Sequence, residues 1–194
     1  MLRTRELSGA VVFGALSAGM VFLPMIHLPW GMAVMDPKSF PWIICFFLFG
    51  PRAGLLSAVI GALAIASTGD WIGAVMKFIA TAPMFLGPAA MLLIASRLTA
   101  RIRNSSSILA NPMVWFPLAG LGVLIRILVC YFVNLYWAVP LFMGKPMEDV
   151  LRIFGGYAGF FAMVAAWNAW QSLWDALIPW LAIYPTKLYR YGTW

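Results

Sequence analysis

The chain has 194 residues, of which 63% are hydrophobic and only 10% are charged, and its mean hydropathy is +0.91. These values exclude an ordinary soluble domain, and since a membrane-spanning helix needs about 20 apolar residues, the length allows at most about seven spans. A net charge of +7 would suggest a nucleic-acid partner in a soluble protein, but here most Lys and Arg residues flank apolar segments, where they set membrane topology and predict no nucleic-acid binding.

Apolar segments joined by short polar connectors predict a single all-α membrane domain that occupies residues 1–194. The first segment is interpreted as a retained helix, because its apolar run continues too long for a signal peptide. A Gly-Pro-Arg-Ala-Gly turn at residues 50–54 separates two short segments, since proline interrupts the hydrogen-bond ladder of a helix. The six predicted spans lie at residues 7–28, 41–49, 55–67, 71–96, 112–139 and 153–184.

Basic residues beside the spans predict which side of the membrane each connector faces. With six spans both termini lie on one side, and most of the flanking Lys and Arg residues fall on that side: Arg3, Arg5, Arg52, Arg97, Arg101, Arg103, Lys187 and Arg190. Fewer fall on the other side: Lys38, Lys145 and Arg152. The positive-inside rule therefore predicts that both termini are cytoplasmic and that the connectors at residues 30–40 and 140–152 face outward.

Small residues recur every four positions in the first predicted helix, at Ala10, Gly14 and Ala18, and Ala15 with Gly19 repeats the spacing beside them. Small side chains let another helix approach closely. The pattern therefore predicts either packing within the chain or docking to another membrane subunit.

Three ionisable residues are predicted to lie deep in the membrane: Lys77, Arg126 and Asp175. Such a residue costs several kcal/mol unless it is paired or hydrated, so each is a functional candidate. Asp175, the one deep anion, is expected to neutralise Lys77 or Arg126, while snorkelling toward cytoplasmic water is an alternative for Arg126. The pair would then serve either a binding site or only the cohesion of the helices.

The last predicted helix carries two neighbouring stripes. Asn168, Gln171 and Asp175 follow i, i+3, i+7 spacing and share one helical face. One residue earlier, about 100° round the helix, lies a stripe of tryptophans: Trp167, Trp170 and Trp174. Amides beside flat apolar rings would suit a planar small molecule with polar edges, whereas the alternative is tryptophans on lipid and amides bonded to neighbouring helices.

Motifs of common enzyme classes are absent from the sequence. It contains no G-x-x-x-x-G-K-[ST], H-E-x-x-H or G-x-S-x-G, and His27 is the only histidine. Cys45 and Cys130 lie in apolar runs, where packing is their expected role. We therefore predict no enzymatic activity, catalytic residue, cofactor or metal site, and any ATP hydrolysis has to come from a partner.

Two segments carry a family resemblance. DPKSFPWIICFFLFGPRAGLLSAVIGAL at residues 36–63 resembles the second and third helices of substrate-binding S components of energy-coupling factor (ECF) vitamin transporters, most closely the riboflavin-specific branch. CYFVNLYWAVPLF at residues 130–142 is similar to the fifth helix of that branch, where an Asn is followed by a Pro, here Asn134 and Pro140. The resemblance covers nearly the whole chain in span order.

The resemblance implies a six-helix bundle in a prokaryotic cell membrane that captures a vitamin near its outer face under the first external connector. It implies a transmembrane coupling subunit and two ATPase subunits as partners, with the small residues of the first helix at the contact. Asn168 falls where the riboflavin branch has a ligand-contacting Asn. Gln171 replaces the Lys usual in that branch, and Lys77 is the candidate substitute cation.

The predicted function is that of an S component for a planar, water-soluble vitamin, with riboflavin first. The residues expected to line the site are Asn168, Gln171, Trp167, Trp170, Asn134 and Lys77. Alternative ligands are a thiamin-type pyrimidine, a deazapurine or tryptophan. An alternative of another class is a non-transporting membrane scaffold, because the cell-shape protein family that includes MreD resembles S components in fold.

Overall fold

The computed structural model of the chain describes residues 2–23, 35–99 and 105–194. The described residues form helices and no strand: α1 (Thr4–Met20), α2 (Phe40–Phe49), α3 (Pro51–Ser67), α4 (Trp71–Thr99), α5 (Ser105–Ile108), α6 (Pro112–Val133), α7 (Val139–Met143), α8 (Met147–Ile153) and α9 (Gly156–Ile183). A 3₁₀ turn (Pro37–Ser39) precedes α2, a π-helical segment (Asn134–Ala138) joins α6 to α7, and a second 3₁₀ turn (Leu188–Tyr191) follows α9. The end of the first predicted span lies outside the described residues, and so do Arg101 and Arg103 between α4 and α5.

Two stretches of helix are long and apolar enough to cross a membrane: α4 and the continuous run Pro112–Met143. α8 and α9 together would make a third, although they are bent by 77° at the break between them. α2, with the turn before it, and α3 are apolar but shorter. The described helices thus suit a multi-pass membrane protein, and the count of six spans stays a prediction.

α2 and α3 are joined by a sharp turn at Gly50, whose φ of +87° is one that other residues rarely adopt. Pro51 follows as the first residue of α3, a position where its missing N–H has no helical partner to lose. α3 therefore begins before residue 55, the predicted start of the third span. Gly54 lies against Phe46, so the two helices pack closely side by side.

The last helix begins at Gly156 and not at residue 153, where the sixth span was predicted to start. Gly155 and Gly156 both have positive φ, 77° and 86°, which turns the chain between α8 and α9. α8 lies in the stretch that the sequence analysis assigned to the second external connector.

The largest core cluster forms around α2. Its side chains Trp42, Ile43, Phe46 and Phe47 are fully buried and pack with residues of α4, α6 and α9. A helix that is apolar all round is expected in the interior of a bundle. Because α2 is enclosed, the polar turn at its amino end is carried into the bundle as well.

The two ends of the described chain lie at the same end of the bundle. Arg5 of α1 and Tyr191 near the carboxyl end line one groove together with Phe49. The N–H of Thr193 donates to the carbonyl of Leu48 at 2.8 Å. That this end faces the cytoplasm stays a prediction.

α4 and α6 cross with almost no room between their backbones at Gly122. A Cβ atom at this position would lie 2.8 Å from the carbonyl oxygen of Pro83 and 3.1 Å from the Cα of Met84. Both atoms belong to the main chain of α4, so neither moves aside as a side chain would. The crossing also fixes the relative positions of Lys77 on α4 and Arg126 on α6.

Gly122→Ala is therefore expected to force the two helices apart and to lower the free energy of unfolding by about 1–3 kcal/mol, as overpacking of a tight contact does. Gly120→Ala is the matched control, because a Cβ there meets nothing within 4 Å. Thermal unfolding of both variants in the same detergent measures the difference. Equal melting temperatures for the two variants would contradict the close crossing.

Candidate functional site

The turn before α2 is held between α1 and α9. Asp36 caps it, since its Oδ1 accepts a hydrogen bond from the backbone N–H of Lys38 at 3.1 Å. The backbone N–H of Asp36 donates to Oε1 of Gln171 on α9 at 3.4 Å. From the other side, the hydroxyl of Ser17 on α1 donates to the carbonyl of Lys38 at 2.7 Å. These contacts fix the charged side chains of the turn inside the bundle.

Two ammonium groups share the carboxylate of Asp36, and we call these three residues the lysine–aspartate cluster. Nζ of Lys77 lies 3.3 Å from Oδ2 and also donates to the backbone carbonyl of Asp36 at 3.1 Å. Nζ of Lys38 lies 3.6 Å from the same Oδ2. All three side chains are at most 12% exposed, so solvent screens these charges only weakly.

Burial by itself would raise the pKa of the Asp36 carboxyl. The charges of Lys77 and Lys38, together with the hydrogen bond from the N–H of Lys38, outweigh burial and hold the pKa below its ordinary value. Asp36 is therefore ionised at neutral pH and presents a full negative charge to both lysines.

A second ion pair lies deeper, between Arg126 of α6 and Asp175 of α9. Nη1 of Arg126 donates to Oδ2 of Asp175 at 2.6 Å, and the two side chains are 4% and 0% exposed. The hydroxyl of Ser39 donates to Oδ1 of Asp175 at 2.5 Å. Nε of Arg126 donates to Oδ1 of Asn168 at 2.9 Å. A buried pair keeps its charges only when further hydrogen bonds satisfy them, and here both partners have such bonds.

This pairing decides between the alternatives that the sequence left open. Asp175 neutralises Arg126, and Lys77 pairs with Asp36 instead. Arg126 is 3% exposed, so it is buried in the bundle and does not snorkel.

The ion pair and the lysine–aspartate cluster form one buried polar network. Asp36 and Ser39 belong to the same short turn, while Gln171 and Asp175 lie one helical turn apart on α9. The network joins the turn, α4, α6 and α9 through these residues: Asp36, Lys38, Ser39, Lys77, Arg126, Asn168, Gln171 and Asp175.

Three of the predicted site residues meet in this network: Asn168, Gln171 and Lys77. Asn168 and Gln171 are 4% and 6% exposed and lie on the inward face of α9 with Asp175, as their spacing indicated. The Asn168 amide also donates to the carbonyl of Val164 at 2.9 Å, which fixes its oxygen toward Arg126.

Asn134 lies in the π-helical segment and is 6% exposed. Its amide donates to the carbonyl of Cys130 in its own helix at 2.8 Å, a bond that is not part of the network. Single π-helical turns occur frequently at functional sites, so the segment remains of interest for a ligand.

The tryptophan stripe is divided between two environments. Trp170 is 42% exposed and packs edge-on against Trp174 with ring centroids 5.3 Å apart, so it lies on the outer surface of α9. Trp167 is half-buried. The structure thus supports the lipid-facing alternative for Trp170 and leaves Trp167 beside the inward amide face.

The predicted site does not include Asp36, Lys38 and Ser39, because all three fall within the predicted connector at residues 30–40. One sequence signal was available, since an Asp directly before a Pro is typical of a residue that caps a helical turn. Capping fixes the place of the Asp relative to α2, but not its burial against α9.

The first stripe of small residues on α1 faces α3. Ala10 is fully buried, and a Cβ at Gly14 would lie 2.7 Å from the Cβ of Ile60. Ala15 and Gly19 are exposed instead, and a Cβ at Gly19 would meet nothing within 4 Å. Docking at Ala10, Gly14 and Ala18 stays a prediction, while the parallel stripe beside them is exposed on the surface of α1.

Within residues 2–23, 35–99 and 105–194, no group of three or more His, Cys, Asp or Glu side chains is placed to hold a metal ion. Cys45 and Cys130 are both buried, each within a cluster of apolar side chains.

No protein-family model matches the sequence, and no curated protein matches it. A solved structure of the S component of a bacterial ECF transporter is similar in fold, with a TM-score of 0.62, 18% sequence identity and coverage of 96% of each chain. The chain has the fold of that S component. This likeness confirms the predicted all-α, S-component-like bundle and says nothing about a ligand.

Asp175→Asn should destabilise the fold by about 3–5 kcal/mol, because it leaves Arg126 as a buried charge without a counterion while preserving side-chain shape. Asp149→Asn is the matched control, since its ion pair with Arg152 is exposed (side chains 47% and 80% exposed) and such pairs contribute about 1 kcal/mol or less. Thermal unfolding in detergent measures both.

The double variant Arg126→Gln with Asp175→Asn distinguishes a charge effect from a loss of packing. It should recover part of the lost stability, because neither member of the pair is left as an unmatched charge. Equal melting temperatures for Asp175→Asn and Asp149→Asn would show that the buried ion pair contributes no more to stability than the exposed one.

Proposed function

We propose that the chain is the substrate-capture subunit of an ECF-type importer in a prokaryotic cell membrane, and that the buried polar network is part of its ligand site. The observation that carries the proposal is this network of charges and amides, assembled from four elements inside a chain with the fold of an S component.

Energetics support a functional role for the network. Five ionisable side chains are buried in it, and each is expensive to place within an apolar bundle. Replacing buried ion pairs by apolar side chains often leaves a protein equally stable or more stable. Cohesion of the helices alone is therefore a weak reason for such a network, and ligand recognition is a stronger one.

The proposed ligand is a planar, water-soluble vitamin, with riboflavin first. The amides of Asn168 and Gln171 supply hydrogen-bonding groups that are held in place by their neighbours. Trp167 offers a half-buried ring beside them, and Asn134 a further amide. Gln171 meets Asp36 at the amino end of α2, and Asp36 belongs to the connector at residues 30–40 that is predicted to face outward.

The proposed partners are a transmembrane coupling subunit and two ATPase subunits. The sequence has no phosphate-binding loop of its own, so ATP-driven uptake needs the ATPases. The outward stripe of Ala15 and Gly19 lets another membrane helix approach α1 closely.

One observation favours a second candidate, a non-transporting scaffold of the MreD kind. Asp175, Arg126 and Asn168 satisfy one another within the chain, as they would in a network that serves only to hold helices together.

Ligand capture is tested by purifying the chain in detergent, recording its visible absorption, denaturing it and identifying any released small molecule by mass spectrometry. We expect a stoichiometric aromatic compound. A flavin would establish riboflavin-type specificity, whereas a thiamin-type pyrimidine, a deazapurine or tryptophan would correct the ligand and keep the function. An empty protein that also binds no vitamin from a panel would favour the scaffold.

Gln171→Leu should weaken binding of the released compound by about tenfold or more, because it removes a buried hydrogen-bonding amide at nearly constant volume. Leu173→Ala on the same helix is the control, since Leu173 is 51% exposed on the outer surface. Isothermal titration of both variants gives the affinities. Unchanged affinity in Gln171→Leu would remove this residue from the site.

A further inference from the structure

The buried network holds unequal numbers of positive and negative charges. Its cations are Lys38, Lys77 and Arg126, whereas its anions are Asp36 and Asp175. With every group in its ordinary charge state, one positive charge has no counterion in the network.

No other carboxylate side chain of the sequence supplies this counterion. Residues 24–34 and 100–104 contain no Asp or Glu. The four remaining acidic residues are engaged elsewhere or exposed: Glu6 accepts from the N–H of Arg3, Asp70 caps α4 at the N–H of Gly73, Asp149 pairs with Arg152, and Glu148 is exposed. No Asp or Glu side chain of the sequence is therefore left to balance the excess charge.

The distances assign the excess to Lys38. Arg126 has Asp175 to itself at 2.6 Å. Lys77 holds the carboxylate of Asp36 at 3.3 Å and its carbonyl at 3.1 Å. Among the described residues, Lys38 reaches only the carboxylate oxygen that Lys77 already contacts, at 3.6 Å, beyond the range of a good hydrogen bond. Its ammonium is buried with the weakest counterion contact of the three.

We propose that the ligand carries a single carboxylate on its planar body and that Lys38 binds this group. The proposal rests on the proposed function, in which the same network belongs to the ligand site. One carboxylate balances the excess of one charge, whereas a phosphate monoester brings about −1.5 to −2 at neutral pH and would overcompensate it. Riboflavin comes first on the family resemblance, but its neutral ring system leaves the Lys38 ammonium unmatched, so on charge balance alone an acid of the same planar class ranks ahead of it.

Two pairs of probes change the charge while keeping the planar ring: nicotinate with nicotinamide, and indole-3-acetate with indole-3-acetamide. The compound released from the purified protein is compared in the same way with its amide when it is an acid. Titration calorimetry at pH 7 should give each acid about ten- to a hundredfold tighter binding than its amide, as expected for a hydrogen bond to a charged group.

Lys38→Gln should bring the two affinities to within about twofold of each other, because it removes the excess charge. Lys77 still pairs with Asp36 in this variant, so the fold should hold, and its melting temperature checks this. Lys145→Gln is the matched control, since Lys145 is exposed, and it should preserve the preference for the acid. Asp36→Asn raises the excess to two charges and should increase the preference.

Equal binding of acid and amide by the native chain, or a neutral released ligand, would overturn the charge proposal while leaving the proposed function intact. A preference that survives Lys38→Gln would overturn the role of Lys38. If neither probe pair binds but the purified protein releases a ligand, the charge of that ligand at pH 7 is the test. A carboxylic acid would support the charge proposal, and a neutral compound would overturn it. If the chain binds no ligand at all, the proposed function is contradicted, and the charge proposal that rests on it is contradicted as well.

Discussion

The ion pair between Arg126 and Asp175 is the contact around which the buried network is arranged. It joins α6 to α9, and the hydroxyl of Ser39 ties the start of α2 to the same carboxylate. Either residue alone would be an unmatched charge in an apolar interior, at a cost of several kcal/mol. The pair therefore fixes both the register of α6 against α9 and the depth at which the turn before α2 enters the bundle.

The position of α2 brings charged residues of a connector into the interior of the bundle. Its buried aromatic side chains, Phe46 and Phe47 among them, keep the helix in the centre of the bundle. The turn at its amino end, capped by Asp36, then contacts α9 inside the bundle. There Oε1 of Gln171 accepts a hydrogen bond from the backbone N–H of Asp36. A short apolar helix is thus what allows a charged turn from a connector to become part of the interior.

The periodicity of the sequence predicted the features that are local to one helix. The shared inward face of Asn168, Gln171 and Asp175 follows from 3.6 residues per turn, and the turn at Gly50 follows from its Gly and Pro neighbours. Contacts between different helices could not be predicted from the periodicity of a single segment. Spacing identified small residues at Ala10 and Gly14 but not α3 as their neighbour, and it marked deep charges without naming their partners.

An excess buried charge makes the electrostatic energy of the site depend on whether a ligand is bound. An ammonium with one distant counterion needs water or another hydrogen-bond acceptor beside it, because desolvation penalises its charged form. Lys38 lies within the connector predicted to face outward, yet it is only 8% exposed, so little water reaches its ammonium. A bound carboxylate would supply the missing counterion and make the network neutral. On this proposal, an acidic ligand lowers the cost of keeping the Lys38 ammonium inside the bundle, and a neutral ligand does not.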